Sequence, residues 1–240
     1  MITTMEKVTS GIEGFDKLIS GGFPKSRAYL VSGEPGTGKT IFSLQYLLQG
    51  LKNGEKCVYI SIDEKPEHII IDSEALGWNL TPYLENGLLQ ILDVTSYFSS
   101  MKDNLDSGIE AKRLVENILS YIKKSGVQRL AIDPIAPLIF KDSNYSSVVE
   151  YIRTLIFEVE DTIGCTTLLT SYVPVGSDKI SAMGIEEFAA SGIVLLRLCK
   201  IKDTYIRTVS VRKMRGTAID LSEYSFEILR NRGLVLRHPI

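Results

Sequence analysis

Gly33-Glu34-Pro35-Gly36-Thr37-Gly38-Lys39-Thr40 follows the apolar run Arg27-Ala28-Tyr29-Leu30-Val31-Ser32 and precedes a helical run from Ile41 to Leu51. The eight residues match the phosphate-cradling loop G-x-x-x-x-G-K-[ST] in full. Its glycines let successive backbone N–H groups turn inward around a phosphate, where side chains would obstruct. Lys39 supplies a point charge for the β- and γ-phosphates, and the Thr40 hydroxyl is placed to hold Mg²⁺. A strand before and a helix after are the context this loop requires. The helix N-terminus, with Ile41 in its first turn, faces the phosphates. The stretch from Gly33 to Ile41 therefore predicts binding of a nucleoside triphosphate.

Working outward, strand-like and helix-like runs alternate. Lys56–Ile62, Leu88–Val94, Gln128–Asp133 and Cys165–Ser171 read as strands, and Pro66–Leu76, Ile109–Ser125 and Ser146–Thr162 as helices. Unbroken apolar strands such as Leu130-Ala131-Ile132 need cover on both faces, which predicts an α/β fold with a mostly parallel, doubly wound sheet. Beyond Gly192 strands follow one another: Ile193–Cys199, Thr204–Lys213, Tyr224–Leu229 and Leu234–Leu236. Their short spacers predict antiparallel strands added at the sheet's edge. Two longer connections, Thr95–Gly108 and Val173–Phe188, each follow a strand and are expected on the ligand side of the sheet. No repeat or linker interrupts the 240 residues, so one domain over 1–240 is expected.

A net charge of −2 gives no overall pull toward nucleic acid or anionic membrane. Cys57, Cys165 and Cys199 lie far apart in apolar runs, the pattern of reduced, buried thiols rather than a disulfide or metal set. No apolar run reaches the length of a membrane span and no signal peptide opens the chain, so the expected location is the cytoplasm.

Hydrolysis requires more than the loop. Asp133 ends the apolar strand Arg129-Leu130-Ala131-Ile132, the arrangement in which an aspartate joins Thr40 at the metal. Asp63 and Glu64 end the strand that follows the loop's helix, where one carboxylate can take a proton from an attacking water. Register favours Asp63 and reach favours Glu64. Ring ATPases of the AAA+ type carry that acid directly after the metal aspartate, and here Pro134 stands there. Lys213 and Arg215, two apart on a strand, project to one face. On spacing alone a solvated basic edge strand is favoured over a phosphate-reaching pair.

The order of these motifs resembles the KaiC-like family of RecA-superfamily ATPases across nearly the whole chain. Thr9-Ser10-Gly11-Ile12-Glu13-Gly14-Phe15-Asp16 with Gly21-Gly22-Phe23-Pro24 is similar to that family's opening motif. The phosphate loop, Asp63-Glu64, Ser73-Glu74-Ala75-Leu76-Gly77-Trp78, Ile132-Asp133 and Gly184-Ile185-Glu186-Glu187-Phe188 follow in order. Lys213-Met214-Arg215-Gly216-Thr217 and Glu223-Tyr224-Ser225-Phe226 complete it. The resemblance implies a hexameric homo-oligomer with ATP and Mg²⁺ between subunits. It also implies that Lys213 and Arg215 act on the neighbour's nucleotide and that Met214 and Thr217 touch it. A protein partner is implied without being identified.

The chain departs from the family at Asp63, where a glutamate is usual, at Ile219, where clock members have histidine, and at Arg230, which replaces an aspartate. The clock proteins fuse two copies of this domain and carry autophosphorylation sites that do not transfer here. The shorter Asp63 leaves a second reading open, a nucleotide-gated binding module with negligible turnover. A third, a recombinase-like DNA-binding ATPase, has only Arg230, Arg232, Arg237 and His238 as a basic cluster.

Overall fold

The computed structural model describes residues 5–94, 107–135 and 145–240. The chain opens with a two-stranded antiparallel ribbon, β1 (Lys7–Val8) and β2 (Phe23–Pro24), that brackets a short helix α1 (Phe15–Leu18). Next come β3 (Ala28–Gly33), α2 (Lys39–Lys52), β4 (Cys57–Ser61), α3 (Pro66–Ala75), α4 (Thr81–Glu85) and β5 (Leu89–Asp93). After them run α5 (Ser107–Ser125), β6 (Arg129–Asp133), α6 (Tyr145–Phe157), β7 (Thr166–Tyr172) and α7 (Glu186–Ala189). Four strands follow: β8 (Gly192–Ile201), β9 (Thr204–Met214), β10 (Tyr224–Leu229) and β11 (Gly233–Pro239).

Nine of these strands form one sheet in the order β11-β10-β9-β8-β3-β7-β6-β4-β5. From β8 to β5 every pairing is parallel, and β9, β10 and β11 add on antiparallel. The α/β expectation is met, with one refinement: β8, the first of the late strands, runs parallel to β3. A second correction concerns the basic strand. β9 lies between β8 and β10, so it is not a sheet edge, and protecting an edge does not explain Lys213 and Arg215.

Alternation along the strands sorts side chains onto two faces. Tyr29, Val31, Tyr59, Ala131 and Leu168 face Phe42, Tyr46 and Leu47 of α2. Leu30, Val58, Ile60, Leu130, Ile132 and Leu169 face Ile118 and Ile122 of α5 and Ile152, Leu155 and Ile156 of α6. The strands read as continuous apolar runs because both faces are covered. The ribbon and α1 were not foreseen, since two-residue strands carry no period. They extend the α2 face with aromatic rings: Phe15 meets Phe42 edge-on at 5.1 Å, and Phe23 lies 4.8 Å from Tyr29.

The helix expected through Thr162 gives way at Glu158–Ile163 to a wider π turn that ends at Gly164, φ 70°. That turn brings Glu160 to the base of the sheet, where it accepts hydrogen bonds from Ala28 N at 2.7 Å and Ser191 Oγ at 2.9 Å. The expected loop Thr95–Gly108 lies outside the described residues, apart from Ser107 and Gly108, which open α5. Cys57 and Cys165 are buried and Cys199 is half-buried, all as free thiols. Burial pushes Cys57 up to about 12 and Cys165 to about 11, far from reactivity. Among the described residues no helix is long and apolar enough to cross a membrane.

Arg129, fully buried at the start of β6, anchors the end of the sheet opposite the phosphate loop. Its guanidinium makes a forked ion pair with Glu55 at 2.6 and 3.1 Å and donates to the carbonyls of Thr9 at 2.7 Å and Tyr46 at 3.0 Å. It also stacks 4.7 Å from the centre of the Tyr46 ring. One side chain thus joins the opening segment, α2 and the α2–β4 turn. Arg129→Met leaves Glu55 unpaired and two carbonyls without a donor. Breaking one partner of a buried pair costs about 3 kcal/mol, a loss to be read as a lower urea midpoint with unchanged slope.

Candidate nucleotide site

The phosphate loop connects the end of β3 to the start of α2, at the carboxyl ends of the parallel strands. Gly33 must lack a side chain because a Cβ there would lie 2.3 Å from the Leu196 carbonyl oxygen of β8. Gly38, at φ 103°, takes the left-handed turn that leads directly into α2. The Thr37 hydroxyl donates to the Glu34 carbonyl at 2.8 Å and closes the loop on itself. The Lys39 ammonium donates to the Gly33 and Glu34 carbonyls, each at 2.9 Å, so it lies across the loop's mouth. Burial pulls its pKa down, and the Asp133 charge opposes that.

Thr40 and Asp133, ninety-three positions apart, meet: Thr40 Oγ1 donates to Asp133 Oδ2 at 2.7 Å. Two further hydroxyls reach the same carboxylate. Tyr59 donates to Oδ2 at 2.5 Å, and Thr170 donates to Oδ1. Neither was singled out from the sequence, because a tyrosine or threonine inside an apolar strand reads as core. Burial, reinforced by the Asp133 charge, pushes the Tyr59 phenol far above its ordinary range, so it remains a donor. A hydroxyl and a carboxylate, both hard oxygen groups, fit Mg²⁺.

Ser61 pairs with Asp133 at the end of β4 and β6, and Asp63 follows two residues beyond that end. The Ser61 hydroxyl donates to the Glu64 carbonyl and holds the turn that carries both acids. Burial and then the Asp133 charge raise the Asp63 pKa. Glu64 is raised by burial, then by Asp72 and Asp133, with His68 opposing. Both acids therefore sense the Asp133 charge, and both are stronger proton acceptors than ordinary carboxylates.

Two more segments reach the loop. Arg207 of β9 donates to the Gly36 carbonyl at 3.2 Å, an approach the sequence does not signal because β9 is far from the loop in the chain. Gly176, in the Val173–Phe188 connection, donates its N–H to Glu34 Oε1 at 3.0 Å, so this connection does reach the ligand side.

Lys213 and Arg215 lie elsewhere. Gly33 stands beside Leu196 of β8, whereas Met214 pairs with Gly192, which stands beside Tyr29. Four residues of strand, about 13 Å, separate the level of the pair from the level of the phosphate loop. The two side chains converge on the carbonyls that end α7: Lys213 Nζ donates to Glu187 at 2.9 Å and Ala190 at 2.7 Å, and Arg215 Nη2 donates to Phe188 at 3.3 Å. Burial and then the Arg215 charge lower the Lys213 pKa. The Met214 side chain is packed in the core, leaving its backbone for any contact with nucleotide. The Thr217 hydroxyl is buried and has no hydrogen-bond partner among the described residues.

A parallel α/β sheet with a glycine loop opening α2, and a threonine and aspartate meeting beside it, define a RecA-like ATPase fold with a nucleotide site. Residues 8–239 match the family model described as "ATPase: KaiC". A UPF0273 protein of Methanopyrus kandleri is 32% identical over 232 residues, covering 93% of this chain and 89% of that protein. The circadian clock oscillator protein KaiC of Prochlorococcus marinus is 36% identical over 225 residues, covering 92% of this chain but 43% of its own length. The crystal structure of a KaiC-like protein from Pyrococcus horikoshii superposes with a TM-score of 0.84 at 31% identity, covering 98% of this chain and 100% of that one. The chain belongs to the KaiC-like ATPase family.

The raised pKa of Asp63 makes a prediction with a definite sign. Below its unfolded-state pKa the protonated group costs the folded chain nothing. As pH rises through the folded-state value, ionising this partly buried group beside Asp133 becomes a penalty. Asp63→Asn is therefore expected to raise the melting temperature at neutral pH, with the gain vanishing below about pH 4. Melting curves across that range check it.

Proposed function

We propose that the chain is one cytoplasmic ATPase domain that hydrolyses ATP with Mg²⁺ in a ring, each nucleotide lying between two subunits. The observation that carries this reading is the separation of Lys213 and Arg215 from their own phosphate loop. A basic pair at the opposite end of the sheet is placed to serve an adjoining copy, as in the hexamer that the family resemblance implies.

Within the site, Thr40 and Asp133 would hold Mg²⁺ and Lys39 the β- and γ-phosphates. When bound, Mg²⁺ neutralises phosphate charge and so favours attack at the γ-phosphorus. Asp63 or Glu64 takes the proton of the attacking water, for which a raised carboxylate pKa is better matched than an ordinary one. The water oxygen bonds to phosphorus and the β–γ bridging oxygen departs with ADP. Lys213 and Arg215 of the adjoining subunit stabilise the charge on the transferring group. Release from the α7 carbonyls frees both side chains for that role. Arg207 steadies the loop from within the same chain.

The basic cluster near the C-terminus is engaged otherwise: Arg232 pairs with Glu13 at 2.6 Å and Arg237 with Glu227. That speaks against the recombinase-like reading, whose mark would be salt-dependent binding of single-stranded DNA.

Lys39→Ala is expected to abolish ATP binding. Arg215→Ala is expected to retain binding and lose turnover by 10³-fold or about that order. Neither variant turns over alone, yet mixed in equal amounts they should recover about a quarter of wild-type turnover, the fraction of random interfaces joining an intact loop to an intact arginine. No recovery at any ratio rules out action between subunits. Wild-type chain that binds ATP in a ring and releases no phosphate would instead establish the nucleotide-gated module.

A further inference from the structure

The Asp133 carboxylate offers about four lone-pair directions. Both on Oδ2 are taken, by Thr40 at 2.7 Å and Tyr59 at 2.5 Å, and Thr170 takes one on Oδ1. One direction remains. Two of these donors are small hydroxyls, on α2 and β7, but Tyr59 is different. Its ring is buried in the α2 face opposite the small side chain of Ala131 across β4 and β6. That placement carries the phenolic oxygen to the carboxylate, where a phenylalanine would fill the same space and donate nothing.

We propose that Tyr59 is a positioning residue for the metal site: its hydroxyl holds Asp133 Oδ2 so that the carboxylate presents a single acceptor to the metal's hydration shell. The inference rests on the reading above that Thr40 and Asp133 serve Mg²⁺. Donors that orient a metal-site carboxylate matter even though they never touch the metal, and removing one typically costs ten- to a hundredfold in metal affinity. Tyr59 would thus set how strongly Mg²⁺ tightens nucleotide binding, without contributing to metal-free binding at all.

The test is ADP affinity, measured by calorimetry with Mg²⁺ and again with EDTA, on wild type and Tyr59→Phe. ADP keeps the readout independent of turnover. Thr40 and Thr170 still satisfy Asp133 in the variant and the ring is retained, so the fold is expected to survive, as an unfolding curve checks. The expected result is an unchanged affinity in EDTA and a roughly tenfold smaller strengthening by Mg²⁺. Mn²⁺ binding to the ADP complex, followed by electron paramagnetic resonance, should weaken by a similar factor. Equal strengthening in wild type and variant overturns the role of Tyr59 alone. A loss of equal size in EDTA also overturns it, by assigning Tyr59 to the loop's structure. Wild type that shows no strengthening by Mg²⁺ overturns the metal reading beneath it. Should Tyr59→Phe not fold, 3-fluorotyrosine at position 59 keeps the ring and makes its hydroxyl a stronger donor to Asp133. A changed Mg²⁺ effect is then expected, and an unchanged one overturns the proposal.

Discussion

Asp133 brings a carboxylate to the carboxyl end of β6, where hydroxyls from α2, β4 and β7 converge on it. A charge at that depth is tolerated only when its lone pairs are satisfied, and here three elements supply the donors. The requirement acts in both directions. The strands must be parallel and in register for Tyr59, Asp133 and Thr170 to meet. In turn, α2 must begin where Thr40 can reach them. The fold's geometry and the site's chemistry are therefore one constraint.

The remaining structure holds α2 in that position. Gln45, buried on its outer side, donates to the carbonyls of Gly11 and Arg232, each at 2.9 Å, and accepts from Leu234 N at 2.7 Å. One amide thereby fastens the opening segment and the β10–β11 hairpin onto the helix. Arg129 repeats the device at the next residue, tying the Tyr46 carbonyl to Thr9 and to Glu55 beyond the helix. Beside them the aromatic cluster of Phe15, Phe23, Phe42 and Tyr46 supplies apolar area. Polar ties fix the position of the helix, and apolar burial supplies most of the stability.

The two ends of the sheet have separate tasks. Its carboxyl end gathers the loop, the Thr40–Asp133 pair and the two acids. Its amino end carries Lys213 and Arg215, held by carbonyls of α7. Glu186 of α7 is buried on the hydroxyls of Ser171 and Ser181, and Gly176 in the same connection binds Glu34 of the loop. The connection after β7 therefore touches both ends.

Much of this was legible in the residues. The glycine loop with its flanking strand and helix, the strand ending in Asp133, and the acids at Asp63 and Glu64 are local patterns, and local patterns follow from backbone sterics and hydrophobic period. The doubly wound sheet followed from unbroken apolar strands. Contacts that depend on register or on distant chain segments were not legible. Tyr59 reads as core until β4 is set beside β6, and Arg207 reads as a surface charge until β9 passes the loop. The placement of β9 inside the sheet, not at its edge, depended on β10 and β11 pairing beyond it. Periodicity assigns a side chain to a face. Only the assembled sheet decides which atoms share that face, because hydrogen bonds act over about 3 Å and sequence separation does not report distance.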